Sequence, residues 1–446
     1  NLGIDHLQND WVCFIDPDDF VAPDYFECAD RAFRAHPNAK LATVNTKFFI
    51  EGKNEFRNTP MNWCFEKGNT FYAFDNEEIP PIFSMASSFF RADELKRLGL
   101  KSSIEIRPNF EDAHFANAFL LGLNDGEVGF LKGPVYYYRK RSDKSSTVDR
   151  SYRNPDKIVR VPEKGMLDLC DIAFKAKGEV PRNIKFTLLY DIAWLLRRYV
   201  SRPENTYQFA KDDTDRALEL MEQLIGICGI DVLFDARNRN MGFDLKAGCA
   251  HYFLKQPAPF QKVYLRRIDT KKRALVFQSF VEAPKILIDQ RATSPLALKT
   301  AGKTLFDQTL FNSFTFLVPY DSEMQRLKFS FSNSCPVTID VNGKGFSGPV
   351  QISTIVEEFT KRWAEFEPTQ DTWIIMDQII SAGNNGEYFL RYLTQNHPEQ
   401  RCLLALDRNS SDWGRLERDG LPLIAYGSKE FEYELRHCTK IISSHM

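Results

Sequence analysis

Hydrophobic and polar positions change period several times along the chain, and each change marks a region. Over residues 1–150, apolar runs of strand length alternate with helical spacing. Trp11, Val12, Cys13, Phe14 and Ile15 form an unbroken apolar run that predicts a buried strand. Pro23-Asp24-Tyr25 opens an amphipathic helix through Arg34, with proline in its first turn. Residues 41–50 and 82–90 predict strands, residues 93–98 a short helix stopped by Gly99. Residues 111–121 predict a helix with Phe115, Ala118 and Phe119 on its apolar face, ended by Gly122. Residues 135–138 form a strand that runs into Arg139-Lys140-Arg141.

Residues 151–258 change character, with helical spacing at 184–199 and 214–227 and no clustered catalytic residue types. From about residue 259 to 348 the period drops to two. Six short strands (263–268, 274–280, 285–288, 314–318, 327–331 and 337–341), the last closed by Asn342-Gly343, predict a small antiparallel β-sandwich. A linker helix is expected within 349–370. Residues 371–446 then read β-α-β-β-α-β, the beginning of a Rossmann-like unit. The predicted class is multidomain α/β.

Composition narrows the choice. A chain of 446 residues exceeds one ordinary core. A net charge of −2 argues against nucleic acid as a partner. No stretch approaches eighteen uninterrupted apolar residues, so neither a transmembrane helix nor a signal peptide is expected. The nine cysteines are scattered without a C-x-x-C pair, which fits buried thiols in a reducing cytoplasm. The chain lacks an initiator Met and stops just after a strand-like run, so a fragment at both ends is expected.

The candidate chemistry lies in two carboxylate clusters. Asp16, Asp18 and Asp19 follow the first strand, and Glu111-Asp112 open a helix about ninety residues later. Acids crowded in one turn repel unless a cation is present. Mg²⁺ or Mn²⁺ bridging a diphosphate would supply that charge, since hard cations take carboxylate and phosphate oxygens. The bland alternatives are a solvated Asp-Pro turn and acids that complement a helix dipole. The basic triplet is equally well a surface feature.

The order of these segments resembles a known family. Asn1-Leu2-Gly3, Asn9-Asp10-Trp11 and Phe14-Ile15-Asp16-Pro17-Asp18-Asp19 resemble the middle of family 2 glycosyltransferases of the GT-A fold. Residues 89–95, FFRADEL, and 107–115, RPNFEDAHF, resemble two further elements of that family, and Tyr138-Arg139-Lys140-Arg141 with Ser145-Ser146 its closing strand and basic loop. The family's nucleobase- and ribose-holding first half has no counterpart here, so this chain is expected to hold a donor poorly. Residues from Trp373, with Asn384-Asn385-Gly386-Glu387 and His397-Pro398, resemble the opening of the glycerophosphotransferase domains of teichoic-acid-type polymerases, a GT-B-type fold.

The resemblance implies a role for each residue. Asp18 binds the metal, and Asp16 binds the metal or the ribose. Asp112 is the general base, with Glu111 orienting the acceptor, while Arg139 and Arg141, with Lys140, face the leaving diphosphate. It implies an inverting enzyme that moves a sugar from a nucleoside-diphosphate sugar, with UDP as the expected carrier, to a hydroxyl of a capsular or teichoic-acid-like polymer. A lipid or oligosaccharide acceptor and a non-catalytic polymer-binding scaffold are the alternatives. The expected location is cytoplasmic, including the inner face of the membrane. Trp63 is a candidate platform for sugar stacking, and His114 reads as structural.

Overall fold

The computed structural model describes residues 2–141, 151–269, 271–320, 326–364 and 371–443. It is a mixed α/β molecule that divides into two compact units, residues 1–340 with 345–349 and residues 341–344 with 350–446. Ser145 and Ser146 lie outside the described residues.

The first unit opens with a seven-stranded mixed sheet. Its strands are β1 (Trp11–Cys13), β2 (Phe20–Val21), β3 (Ala39–Ile50), β4 (Glu55–Asn58), β5 (Thr70–Ala73), β6 (Ser88–Arg91) and β7 (Glu127–Lys140). The spatial order is β1-β6-β3-β7-β2, with β4 added on β3 and β5 on β7. The helices are α1 (Tyr25–Ala35), α2 (Ala92–Leu98) and α3 (Glu111–Leu121). The long central strands β3 and β7 run parallel, with a bulge that takes residues 132–134 out of the ladder between Leu131 and Val135.

Two expected strands are shorter than their apolar runs. The first run forms a strand only at Trp11–Cys13, at the edge of the sheet, and Ile15 is exposed. Phe14 turns inward instead, packing edge-on against Phe90 and Phe115 at 6.0 and 5.9 Å. In the second, only Ser88–Arg91 pairs in the sheet. The preceding stretch is buried but irregular, because Pro80 and Pro81 bring no N–H to a ladder. The Ile82 carbonyl is taken by the Asn117 side chain of α3 at 2.8 Å.

Next come helices at Asp168–Lys177, Arg182–Tyr199, Lys211–Leu233 and Phe243–Tyr252. Their apolar faces share one core with Ile106, Phe110 and Ala113 on one side and with Phe280, Leu310 and Phe311 on the other. Two sheets follow. The larger has the order Ala297–Leu305, Gln308–Pro319, Ala274–Phe280, Gln261–Asp269, Val337–Val341, Lys344–Ser347. The smaller centres on Lys285–Ile288, paired with Arg291–Thr293 and Arg326–Ser330. Phe277 and Phe316 of the first sheet meet Phe329 of the second at 5.1 and 5.7 Å, as the inner faces of a sandwich do. The pairing is not all antiparallel as expected: Val337–Val341 runs parallel to Gln261–Asp269.

The second unit contains the helix Ile352–Ala364 and a fully parallel four-stranded sheet. The sheet order is Leu423–Ala425, Arg401–Leu406, Thr372–Met376, Lys440–Ser443, that is 3-2-1-4 in chain order. This is the order of a doubly wound sheet, with its reversal point between the first and fourth strands. Parallel neighbours need a crossover. A helix at Trp413–Arg418 supplies one where the sequence pattern shows two strands in succession. At the end of the first strand the buried Asp377 carboxylate accepts from the backbone N–H groups of Gly386 and Glu387, at 2.8 and 3.0 Å. Among the described residues, no helix is long and apolar enough to cross a membrane.

Candidate active site

The structure brings the two carboxylate clusters together. Phe14 precedes the acidic turn and Phe115 lies one helical turn beyond Glu111. Both rings pack on Phe90, with Phe90 and Phe115 5.5 Å apart. Buried aromatic packing of this kind fixes the turn against the N-terminus of α3.

The turn itself is closed by the Asp19 N–H donating to the Asp16 carbonyl at 3.1 Å. Strand β7 then holds it from below. The buried Tyr136 hydroxyl donates to Asp19 Oδ2 at 2.7 Å and accepts from the Asp16 N–H at 3.3 Å. The Arg139 N–H donates to Asp19 Oδ1 at 2.9 Å. Asp19 is therefore spent on positioning, which leaves Asp16 and Asp18 as the carboxylates available to a ligand. Asp18 takes a hydrogen bond from Arg141 Nη2 at 2.8 Å. Arg139 points its guanidinium toward Glu51, 3.5 Å away, and over the Phe20 ring.

On the opposite wall, Phe110 adopts a left-handed backbone, φ 82°, directly before Glu111. A bulky residue rarely sits there, and such strain collects at functional positions. Its ring is locked from the helical region: a side chain at Gly165 would meet Phe110 Cδ1 at 2.9 Å, so only glycine fits. His114 Nε2 lies 2.7 Å from Asp168 Oδ2, a structural tie between α3 and the next helix. Arg107 donates to Glu111 at 2.8 Å, and Ser84 makes a long hydrogen bond, 3.4 Å, to Asp112.

Electrostatics separates the roles. Burial, then repulsion by Glu111, pushes Asp112 up to about 6, against hydrogen bonds from Ser84 and the Ala86 N–H. Burial, then repulsion by Asp112, Asp19 and Asp18, pushes Asp16 up to about 6 as well. Asp16 is exposed as a residue, so solvent softens that effect. Burial also raises Glu111, with Arg107 and Lys157 opposing it. The two clusters thus feel each other's charge. Among the described residues, no group of three or more His, Cys, Asp or Glu side chains is gathered closely enough to hold a metal ion by itself.

Sequence reasoning missed Tyr136 as a clamp and Lys157 as a distant charge on Glu111. Tyr136 stands 120 residues from Asp16, and no local pattern announces the pairing. Trp63 sits in a short 3-10 turn, Asn62–Phe65, under the Arg239 guanidinium. A cavity of about 390 Å³ lies elsewhere, beside Arg31, His36 and Phe71, and no part of the acidic turn lines it.

The geometry defines an acidic site between a mixed sheet and a helix N-terminus. No family model matches the sequence. The chain is similar to the minor teichoic acid biosynthesis protein GgaB of Bacillus subtilis (strain 168), 25% identical over 244 residues, 53% of this chain and 25% of that protein. It is also similar to the minor teichoic acid biosynthesis protein GgaA of the same organism, 24% identical over 199 residues, 44% of this chain and 43% of that protein. Each match therefore spans less than half of the relative's own length.

Proposed function

We propose that this chain carries the acceptor side and metal turn of an inverting, metal-dependent glycosyltransferase of the GT-A, family 2 type, acting in teichoic-acid-like or capsular polymer synthesis. The observation that supports it is the meeting of the acidic turn with Glu111-Asp112, close enough for Asp112 to repel Asp16. The similarity to two teichoic acid biosynthesis proteins favours that polymer class over a lipid or free oligosaccharide acceptor.

Asp18 and Asp16 fit Mg²⁺ or Mn²⁺. They are hard oxygen donors whose mutual repulsion a cation would relieve, and such ions are commonly held by one or two carboxylates plus phosphate oxygens. When bound, the ion supplies charge stabilisation for the departing nucleoside diphosphate, with UDP as the proposed carrier. Arg141, which now neutralises Asp18, turns to the diphosphate, and Arg139 backs it from β7. Asp112 accepts the proton of the acceptor hydroxyl as that oxygen bonds the anomeric carbon and the bond to the diphosphate oxygen breaks. A base raised to about 6 suits the task better than an ordinary aspartate. Glu111, held by Arg107, hydrogen-bonds the acceptor. In the second unit, the doubly wound strand order suits the first half of a polyol-phosphate transferase domain.

The test is release of nucleoside diphosphate from a panel of nucleotide sugars, with a teichoic-acid-type acceptor and either Mn²⁺ or EDTA. Metal-dependent release that Asp18→Ala abolishes is expected. Undiminished turnover in EDTA removes the metal from the mechanism.

A further inference from the structure

We propose that the outer face of the smaller sheet of the sandwich docks a linear phosphodiester polymer with a three-carbon repeat, the glycerol-phosphate type. The choice of polymer rests on the teichoic-acid reading given above, and the surface itself does not. Charge is the first observation. Residues 259–348 hold thirteen Lys and Arg against seven Asp and Glu, in a chain whose net charge is −2. Such an excess favours an anionic partner where it gathers on one side. Strand alternation gathers part of it. In Lys285–Ile288 and Arg326–Ser330, the side chains of Ile286, Ile288, Leu327 and Phe329 are buried. Lys285, Arg326 and Lys328 therefore share the opposite face with the half-buried Leu287 and Ser330.

The antiparallel register sets Leu287 opposite Lys328 and Lys285 opposite Ser330. Arg326 and Lys328 are two residues apart on one strand, and Lys285 lies diagonally across from Lys328, each step about 7 Å between backbones. Among the described residues none of the three makes an ion pair, whereas Arg267 of the same sandwich is matched to Asp269 at 3.6 Å. The acids nearest in the chain are engaged with other donors. Asp289 accepts from the Arg326 backbone N–H at 3.0 Å, and Glu282 takes both the N–H and the hydroxyl of Ser332. Spacing narrows the ligand. Six bonds separate successive phosphorus atoms of a glycerol-phosphate chain, as six backbone bonds separate residues i and i+2 of a strand, so both repeats are about 7 Å. A five-carbon polyol adds two bonds and falls out of step. A nucleic acid shares the six-bond repeat, but it gains by stacking its bases. Among the described residues of these two strands, no aromatic side chain faces outward.

The experiment titrates the full chain calorimetrically, at several salt concentrations, with a synthetic glycerol-phosphate hexamer, a ribitol-phosphate hexamer and a thymidine hexanucleotide. The glycerol-phosphate hexamer should bind tightest, its affinity falling with salt with a log–log slope of about 2 for three phosphate contacts. The triple variant Lys285→Gln/Arg326→Gln/Lys328→Gln alters exposed side chains only. It should lose affinity about 10- to 100-fold and flatten the salt slope. Lys299→Gln/Lys303→Gln, on the exposed edge strand of the larger sheet, should bind as wild type does. No binding by wild type, undiminished binding by the triple variant, an equal loss in the edge-strand pair, or equal binding of either other hexamer overturns the surface. The titration needs no chemistry, so it is separable from the transfer reading. A chain that docks the hexamer but releases no nucleoside diphosphate with Mn²⁺ would sink that reading and leave the surface standing.

Discussion

Two carboxylates, each at the start of a helix that lies between two strands in the chain, meet opposite fates in the two units. Asp112 is half-buried beside other acids and is pushed up to about 6. Glu387, more deeply buried, is gripped by Arg415 and Arg391 at 2.7 and 2.8 Å and held down to about 2. Burial disfavours both charges; at Asp112 it dominates, and at Glu387 the arginine hydrogen bonds outweigh it. The first carboxylate is kept short of cations and can take up a proton. The second has its charge fully answered, and it ties the helix Asn385–Asn396 to Trp413–Arg418 as a structural joint.

The contrast can be broken most forcefully at Asp112. Asp112→Asn should leave donor binding intact and slow transfer by roughly 10²–10⁴-fold, the usual contribution of a general base. Near-normal turnover would move the base to Glu111. At Glu387 the expected loss is of stability. Glu387→Ala should cost the second unit about 3 kcal/mol, the low end for a broken buried pair, since both guanidiniums can rehydrate. A denaturant midpoint that does not move would make the joint ornamental.

The smallest effect is in pH. A folded-state value of about 2 for Glu387 lies below that of the unfolded chain, so its contribution is present above pH 4.5 and is lost as pH falls toward 2. For Asp112 the sign reverses. Its ionisation in the folded state costs stability, fully so above about pH 6 and not at all where both states are protonated. Asp112→Asn should therefore raise the melting temperature at pH 7.5, and the gain should vanish near pH 3.5. A gain that persists in acid would trace to packing and not to charge.

Much of this was legible in the pattern of residues, for identifiable reasons. Helix α3 has the predicted bounds because its apolar spacing and terminal glycine agree. Ala274–Phe280 and Lys285–Ile288 do too, the first as a strand buried along nearly its whole length and the second as one that alternates outward and inward. Ala297–Leu305 escaped because it is an edge strand, exposed along most of its length and rich in lysine, so no alternation marks it. Trp413–Arg418 escaped because six residues with a glycine among them carry too little period. The candidate acids were legible from local spacing. What holds them in place was not, since Tyr136, Gly165 and Lys157 reach the site only through the fold.

Asp377 carries a consequence of its own. By capping the helix Asn385–Asn396 after the first strand of the parallel sheet, its carboxylate fills the seat where a doubly wound sheet ordinarily cradles a phosphate. A side chain on Gly386 would collide with that carboxylate at 2.6 Å, so glycine and aspartate here form a matched lock and plug. The plug travels with the protein, and free phosphate or sulfate has no vacant berth to compete for at this helix. Any nucleotide that this sheet welcomes must rest its phosphates on some other part of the rim.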